Sequence, residues 1–410
     1  MTANDTTIIP SSADEETLVA HIYTEAQGPR KGVYLTFDQA QRLLHFHLPG
    51  KQLKELYYFN RGYNNRVYLA CCTDASEYVI RLGGRFWDHR KITNEVQALA
   101  LARKALVNVV QVPTVIGTSV DQTHKVISHD YIVMSRLPGV PLDSVWDDMS
   151  LEEQEKVVDQ VAEIFARLRS IELPGIGNFV KGPNGEPTIG PMMEGSSGSG
   201  PYQSWGAFVV ANIQKEINWL QSDGKFVETM AYIPRIETLV KTIESGGLEK
   251  RFQGVSTQDA AAVVGRPISF THGDFESRNI LVVGHKVVGL LDFEFAGGFP
   301  SEQEWCAGFE WLFARAEDPF HKGEEEKLKN MGQDQKQLLD YFLRILKGKY
   351  GIQQFGKDCE EYKVVLYHLQ INMAPWWLRD TPKEDWTDKQ RQSMTTAADS
   401  LDKALKFLGC

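Results

Sequence analysis

Oxygen-bearing side chains gather between short apolar runs in the segment Thr271–Val282. The segment contains Asp274 and Asn279, and Asp292 follows ten residues after its end. The apolar runs predict strands, and a loop between strands would bring these three side chains together. Carboxylate and amide oxygens suit Mg²⁺, and another carboxylate nearby can accept a proton from an attacking hydroxyl. These are the requirements of phosphoryl transfer.

These residues, taken together in this order, are a more specific functional signal than any one of them alone. His-Gly-Asp occupies residues 272–274, Asn279 comes after four more residues, and Leu-Asp-Phe-Glu follows at 291–294. This pattern resembles the active-site signature of the aminoglycoside phosphotransferase and choline kinase superfamily, whose fold is similar to that of protein kinases. A simpler alternative is that the Asp and Asn side chains only cap turns.

The resemblance assigns roles to individual residues. It implies that Asp274 is the catalytic base and that Asn279 and Asp292 bind Mg²⁺. His272 would brace the loop rather than act as an acid. ATP and Mg²⁺ are the implied cofactors, and a hydroxyl group of a small molecule is the implied acceptor.

The elements that must position these residues predict an α+β fold with two lobes. Short runs rich in aromatic and β-branched residues indicate a small antiparallel sheet before residue 136. The helical spacing of Ile92, Val96 and Leu99 predicts a helix whose apolar face packs on this sheet. The spacing of Thr36 and Gln39 predicts a capping box at the start of another helix. The rest is mainly helical. We expect a flexible segment at 1–30, and the resemblance implies a nucleotide-binding N-lobe at 31–136 and a C-lobe with the catalytic, metal and acceptor sites at 137–410.

A kinase-like fold needs a cation on a strand and a carboxylate on the next helix. Arg81 ends the apolar run 78–80, and Glu95 shares the apolar face of the predicted helix. Because an unpaired buried charge is costly, the two are expected to pair. The resemblance implies that Arg81 contacts the ATP phosphates, although protein kinases and many aminoglycoside kinases have Lys there. An ordinary structural ion pair is the alternative.

Further nucleotide contacts are expected on either side of that strand. The loop 61–65 has a single glycine, Gly62, and resembles the phosphate loops of the superfamily, with Asn64 as a second contact. An ordinary hairpin turn is the alternative. Residues 131–139 resemble the strand that leads into the hinge, where Met134 and the backbone near Arg136 would meet the adenine.

The acceptor is expected to bind against the helical half. Carboxylates and aromatic rings there would suit an amine-bearing substrate, although such residues are usually solvated or packed in cores. The candidates are Glu294, Glu302, Glu304, Glu310 and Asp380, with Trp376 and Trp377. The glycine-rich loop 195–200 is a candidate lid or a plain connection.

Composition excludes several other classes of protein. A net charge of −10 disfavours a nucleic-acid binder, and no apolar run is long enough to span a membrane. Five scattered cysteines and no signal peptide predict a cytoplasmic protein with reduced thiols. A monomer or a homodimer is expected.

Three alternatives to a small-molecule kinase stay open. One is a kinase-fold nucleotide-binding or regulatory module that does not transfer phosphate. Another is an ATP-dependent enzyme of secondary metabolism that catalyses a different condensation. The last is a protein kinase, which the sequence disfavours because it lacks His-Arg-Asp, Asp-Phe-Gly and Ala-Pro-Glu.

Overall fold

Two compact units make up the chain in this computed structural model, and they interleave along the sequence. Unit 1 contains 1–171, 177–198 and 272–297, and unit 2 contains 172–176, 199–271 and 298–410. The structure describes residues 6–23, 28–60, 62–85, 89–120, 126–193, 199–245, 268–300, 333–352, 365–366, 368–379 and 381–410. The segment that carries the predicted base and metal ligands thus belongs with the N-terminal sheet, whereas the lobe boundary at 136 stays a prediction.

A six-stranded antiparallel sheet forms the frame of unit 1. Its strands are β1 (Thr6–Ile8), β2 (Leu53–Phe59), β3 (Asn65–Cys72), β4 (Glu77–Gly83), β5 (Val115–Thr118) and β6 (Tyr131–Ser135). Their order in the sheet is β1-β2-β3-β4-β6-β5. In the register of β4, Arg81 lies between Val67 of β3 and Ile132 of β6. Paired strands on both sides therefore fix the backbone at Arg81.

Two helices, α1 (Glu15–His21) and α2 (Phe37–His47), belong to the same unit. The predicted capping box is confirmed, since Thr36 and Gln39 bond each other's backbone amides. The structure differs from the flexible segment expected at 1–30, because β1 pairs with β2 and the side chains of Ile9 and Leu18 are buried in the core. Burial of these apolar groups offsets the entropy of ordering the segment.

Helix α3 (His89–Ala105) packs on the sheet and carries the predicted carboxylate. Its Ile92 joins a cluster with Ile132 and Met134. Lys91 and Glu95 lie on the same helix and are buried. Burial of two charged side chains next to an apolar cluster requires partners of opposite charge.

The segment that carries the predicted base leads into a small sheet of the same unit. Strand β11 (Ile280–Val283) pairs with β12 (Lys286–Leu290) and with β7 (Val140–Pro141). Helix α4 (Leu151–Arg169) begins at a second capping box, between Ser150 and Glu153. Strands β8 (Gly177–Lys181) and β9 (Pro187–Ile189) form an antiparallel hairpin.

Unit 2 is mainly helical in its described residues. It contains α5 (Trp205–Ser222), α6 (Val227–Met230), α7 (Ile233–Glu244), α8 (Gln333–Tyr350), α9 (Trp376–Arg379) and α10 (Asp388–Leu408). Strand β10 (Ser269–Thr271) also lies there, and β13 (Gly297–Phe299) begins at the end of unit 1. Across the described parts of the chain, no helix is long and apolar enough to cross a membrane.

Candidate active site

His272 joins the segment of the predicted base to the segment of the predicted metal ligand. Its Nε2 donates to the carbonyl of Leu291 at 2.9 Å, and its Nδ1 accepts from the amide of Asp274 at 3.3 Å. The ring is fully buried against Phe275 and Phe293. Burial lowers the pKa of His272 to about 4, so the imidazole is neutral. This geometry is that of a brace between two loops.

Gly273 is required by the backbone at this turn. Its φ is +81°, and a Cβ atom placed there would lie 2.3 Å from the carbonyl oxygen of Phe295. An L side chain would therefore meet both an unfavourable backbone conformation and a backbone atom that cannot move aside. The central glycine of the His-Gly-Asp sequence lets the two segments approach this closely.

Asp274 lies at the surface side of the site and is held by two neighbours. The Nδ2 of Asn279 donates to the Asp274 carbonyl at 2.8 Å and to its Oδ2 at 2.9 Å. The Nη2 of Arg278 donates to Oδ1 at 2.8 Å and to Oδ2 at 3.1 Å. Arg278 also pairs with Glu276. Both bonds of Asn279 use Nδ2, so Oδ1 is the atom that can face a cation.

Asp292 is brought next to Asn279 by the backbone. The amide of Leu291 donates to the Asn279 carbonyl at 2.8 Å. Asp292 has a φ of +64°, which a residue with a side chain rarely adopts and which costs about 1–3 kcal/mol. Its side chain is about one-third exposed, at 32%, and accepts from Arg81 at 2.9 Å. Strain at this position marks it as a candidate functional residue.

The pKa of Asp292 is shifted far from that of an ordinary carboxyl. Burial raises it, and the neighbouring Glu294 carboxylate raises it further, to about 7. Arg81 acts in the opposite direction but does not outweigh the other two. A second positive charge near Asp292 would stabilise its ionised form, and a divalent cation would supply that charge.

The predicted pair of Arg81 and Glu95 lies in the interior, with 5% and 2% of each residue exposed. Arg81 is shared, because its Nη1 also contacts Asp292 at 2.9 Å and Glu294 Oε2 at 3.3 Å. One guanidinium thus touches the helix carboxylate and both carboxylates of the 291–294 segment. A planar group with several donors can do this, whereas a Lys ammonium is a point charge.

The role in acceptor binding predicted for Glu294 is wrong. It was expected among the acceptor contacts, but it is 2% exposed and both of its oxygens are engaged inside unit 1. Asn64 donates to Oε1 at 3.1 Å, Asn65 donates to Oε2, and Lys91 contacts Oε2 at 2.9 Å. Burial opposes ionisation, but Arg81 and Lys91 outweigh it and lower the pKa of Glu294.

Two residues of this cluster, Lys91 and Asn94, were not predicted. Lys91 donates to Asn65 Oδ1 at 3.0 Å, and Asn94 donates to the Glu294 carbonyl at 2.9 Å. Asn94 also accepts from the amide of Phe179 at 2.7 Å. One signal was available in the sequence, since Lys91, Asn94 and Glu95 are polar residues beside an apolar helical stripe. That position requires buried partners.

The predicted nucleotide contacts fall into two groups. Asn64, Arg81 and Glu95 come together in the cluster, and Gly62, with a φ of +96°, lies two residues before Asn64. Met134 pairs with Val79 in the sheet and packs in the core. The side chain of Arg136 pairs with Glu77 rather than with the cluster.

The described residues include the predicted metal ligands but only some of the predicted acceptor contacts. Within them, no group of three or more His, Cys, Asp or Glu is arranged to hold a metal. A site of one carboxylate and one amide is of a different kind, because Mg²⁺ on a nucleotide takes its other ligands from phosphates and water. Several predicted residues lie outside the described part: Glu302, Glu304, Glu310, Asp380 and most of the loop 195–200.

Comparison with known proteins identifies the fold. A sequence model of a phosphotransferase enzyme family, APH, matches residues 56–298. The solved aminoglycoside phosphotransferase APH(4)-Ia matches with 17% identity and a TM-score of 0.50, covering 92% of this chain and 100% of that chain. The streptomycin–ATP complex of APH(2″)-IIa matches with 14% identity and a TM-score of 0.51, covering 90% and 99%.

A third solved structure agrees with these two. The ADP-bound aminoglycoside phosphotransferase APH(2″)-Ib matches with 15% identity and a TM-score of 0.51, covering 91% of this chain and 99% of that chain. Identities this low show the fold alone, and the predicted α+β kinase-like fold class is thereby confirmed. No curated protein matches the sequence.

Proposed function

Because the chain belongs to the APH phosphotransferase enzyme family, we propose that it transfers the γ-phosphoryl group of ATP to a hydroxyl group of a small molecule. The observation that carries the proposal is the joining of two loops. His272 and Asn279 bind Leu291 from one loop, and this holds Asp274 beside the segment that contains Asp292. A base and a metal ligand on adjacent rigid loops meet the needs of phosphoryl transfer.

In this proposal Asp274 accepts the proton of the acceptor hydroxyl. Its carboxylate is oriented by Asn279 on one side and by Arg278 on the other. An oriented carboxylate within hydrogen-bond reach of the hydroxyl contributes to catalysis as a general base. The hydroxyl would bind a carboxylate oxygen beside the guanidinium of Arg278, which already donates to both oxygens.

Asn279 Oδ1 and the Asp292 carboxylate are the proposed ligands of Mg²⁺. Oxygen donors of this kind suit a hard cation, and the raised pKa of Asp292 fits a carboxylate that lacks a full counter-charge. When bound, Mg²⁺ would neutralise the phosphates of the nucleotide. Arg81 would contact the same phosphates, as its position beside Asp292 allows.

ATP is the proposed phosphoryl donor. The likeness to ATP- and ADP-bound phosphotransferases supports ATP as the donor. Gly62 and Asn64 would approach the phosphates, and Met134 with the backbone at Arg136 would meet the adenine. Glu294 is buried and is therefore not among the proposed contacts of the acceptor.

The test is ADP release from ATP and Mg²⁺ over a panel of hydroxyl-bearing small molecules. Asp274→Asn should keep ADP binding and lose turnover by about 10²–10⁴-fold, the usual contribution of a general base. Asp148→Asn, at an exposed position, is the matched control and should keep wild-type turnover. Full turnover in Asp274→Asn would refute the assignment of the base.

A second candidate function is nucleotide binding without transfer. It is favoured by the contacts of Arg278 and Asn279 with Asp274, which engage both oxygens of the carboxylate. This function predicts ADP and ATP binding with no ADP release for any acceptor. It also predicts that Arg278→Ala does not create turnover.

A further inference from the structure

Lys91 is a buried cation that the proposed reaction does not use. It lies in the first turn of α3 with 1% of its surface exposed. Its ammonium contacts Asn65 Oδ1 at 3.0 Å, Glu294 Oε2 at 2.9 Å and the face of the Phe295 ring, 5.7 Å from its centroid. Burial of a Lys this deeply is costly, so its position calls for an explanation.

Two cations share the Glu294 carboxylate, and they differ in their other partners. Arg81 contacts Oε2 of Glu294 at 3.3 Å and also contacts Asp292 and Glu95. Lys91 contacts the same oxygen at 2.9 Å, and Glu294 is its carboxylate partner in the cluster. The shorter contact indicates that Lys91 is the permanent counter-charge of Glu294.

A nucleotide would change the partners of Arg81 and leave those of Lys91 in place. In the proposed function Arg81 turns toward phosphates, and Asp292 turns toward Mg²⁺. If Glu294 depended on Arg81 alone, this exchange would leave a buried carboxylate without a counter-charge. Such an uncompensated buried charge is costly and would oppose nucleotide binding.

We propose that Lys91 is a positioning residue that keeps Glu294 neutralised, so that Arg81 can exchange from carboxylates to nucleotide phosphates. The inference rests on the proposed function. Lys91 also fixes the start of β3, since it holds Asn65, whose own amide donates to Glu294. The strand that follows the phosphate loop is thereby tied to the segment of the proposed metal ligand, whichever partners Arg81 has.

The proposal predicts how charge removal changes nucleotide affinity. In Lys91→Met, Glu294 would retain Arg81 as its remaining cation, and ADP with Mg²⁺ should bind about tenfold or more weakly. In Lys91→Met/Glu294→Gln the carboxylate that retains Arg81 is gone, and most of the affinity should return. A residue that only fills space would show no such rescue, because the second change would add to the first.

The measurement is calorimetric titration of each purified full-length variant with ADP in the presence of Mg²⁺, with thermal melts to verify folding. Unchanged affinity in Lys91→Met, or no recovery in the double variant, would overturn the proposal. If Lys91→Met does not fold, the ADP affinity of Glu294→Gln tests the proposal instead. The proposal predicts that this variant binds ADP at least as tightly as the wild type, and weaker binding would overturn it.

Failure of this inference can be told apart from failure of the proposed function. If the wild type does not bind ADP, the proposed function fails before any variant is compared. If the wild type binds ADP but the variants do not behave as described, only the role of Lys91 fails. Arg103→Met, an exposed cation later on α3, is the matched control and should bind ADP as the wild type does.

Discussion

Two of the groups of arginine and carboxylate side chains in unit 1 lie near the candidate active site, and they differ in burial. Arg81 is almost completely buried and touches Glu95, Asp292 and Glu294. The side chain of Arg278 is 56% exposed and touches Asp274 and Glu276. Charge interactions in the first group are therefore stronger, because water screens the exposed Arg278 pairs and has little access to the Arg81 guanidinium.

The buried group is a stable frame, whereas the exposed group is a contact that can be exchanged. The buried group ties a strand, a helix and a loop together, and breaking it leaves charges that water cannot solvate. The exposed group orients one carboxylate, and its arginine can leave at small cost. A site that must admit a hydroxyl beside Asp274 benefits from having its weak contact there.

The largest expected effect comes from the centre of the buried group. Glu294→Ala removes the counter-charge of Lys91 and a partner of Arg81, and it should lower the free energy of unfolding by about 3–5 kcal/mol. Urea unfolding measured at pH 7 checks this. The matched control is Glu276→Ala in the exposed group, which should cost less than about 1 kcal/mol. Equal losses in the two variants would show that burial does not distinguish the groups.

A smaller effect on stability is expected from the ionisation of Asp292 as pH changes. Its pKa is near 3.8 in the unfolded chain and about 7 in the folded protein. Between these values the folded state keeps a proton that the unfolded state has lost, so Asp292 lowers stability as pH rises. Asp292→Asn removes this dependence, and its stability relative to the wild type should rise by roughly 2 kcal/mol from pH 4 to pH 7, allowing for partial exposure.

The measurement is urea unfolding of both proteins at several pH values across that interval. His272 acts in the opposite direction in the wild type, since its pKa is lowered from 6.5 to about 4 and its neutral form is the one that folding favours. Stability from His272 is therefore lost as pH falls through that interval. A constant difference between wild type and Asp292→Asn would contradict the raised pKa of Asp292.

The smallest expected effect on stability comes from the exposed arginine. Arg278→Ala should change the free energy of unfolding by less than about 1 kcal/mol, as exposed ion pairs usually do. It should nevertheless change turnover, because Arg278 contacts both oxygens of the proposed base. Unfolding and ADP-release measurements on the same preparation check both statements. A loss of stability as large as that of Glu294→Ala would remove the distinction between the two groups.

Local patterns in the sequence were sufficient for most of the elements near the site. Capping boxes, aromatic and β-branched runs and one apolar helical stripe correctly predicted α2, β2 to β4 and α3. These features depend on residues only a few positions apart. The N-terminal segment was different, because β1 is short and is ordered by pairing with β2, some fifty residues later in the chain.

The sequence by itself determined which residues are candidates for chemistry, since Asp274, Asn279 and Asp292 stand at a recognisable spacing between apolar strands. Only the tertiary structure decided their electrostatic surroundings. Glu294 looks like any exposed acidic residue in the sequence, yet it is buried among Lys91 and Arg81 because the 291–294 segment packs beneath the sheet and α3. Burial and distance set the strength of a charge interaction, and both depend on contacts between residues far apart in the chain.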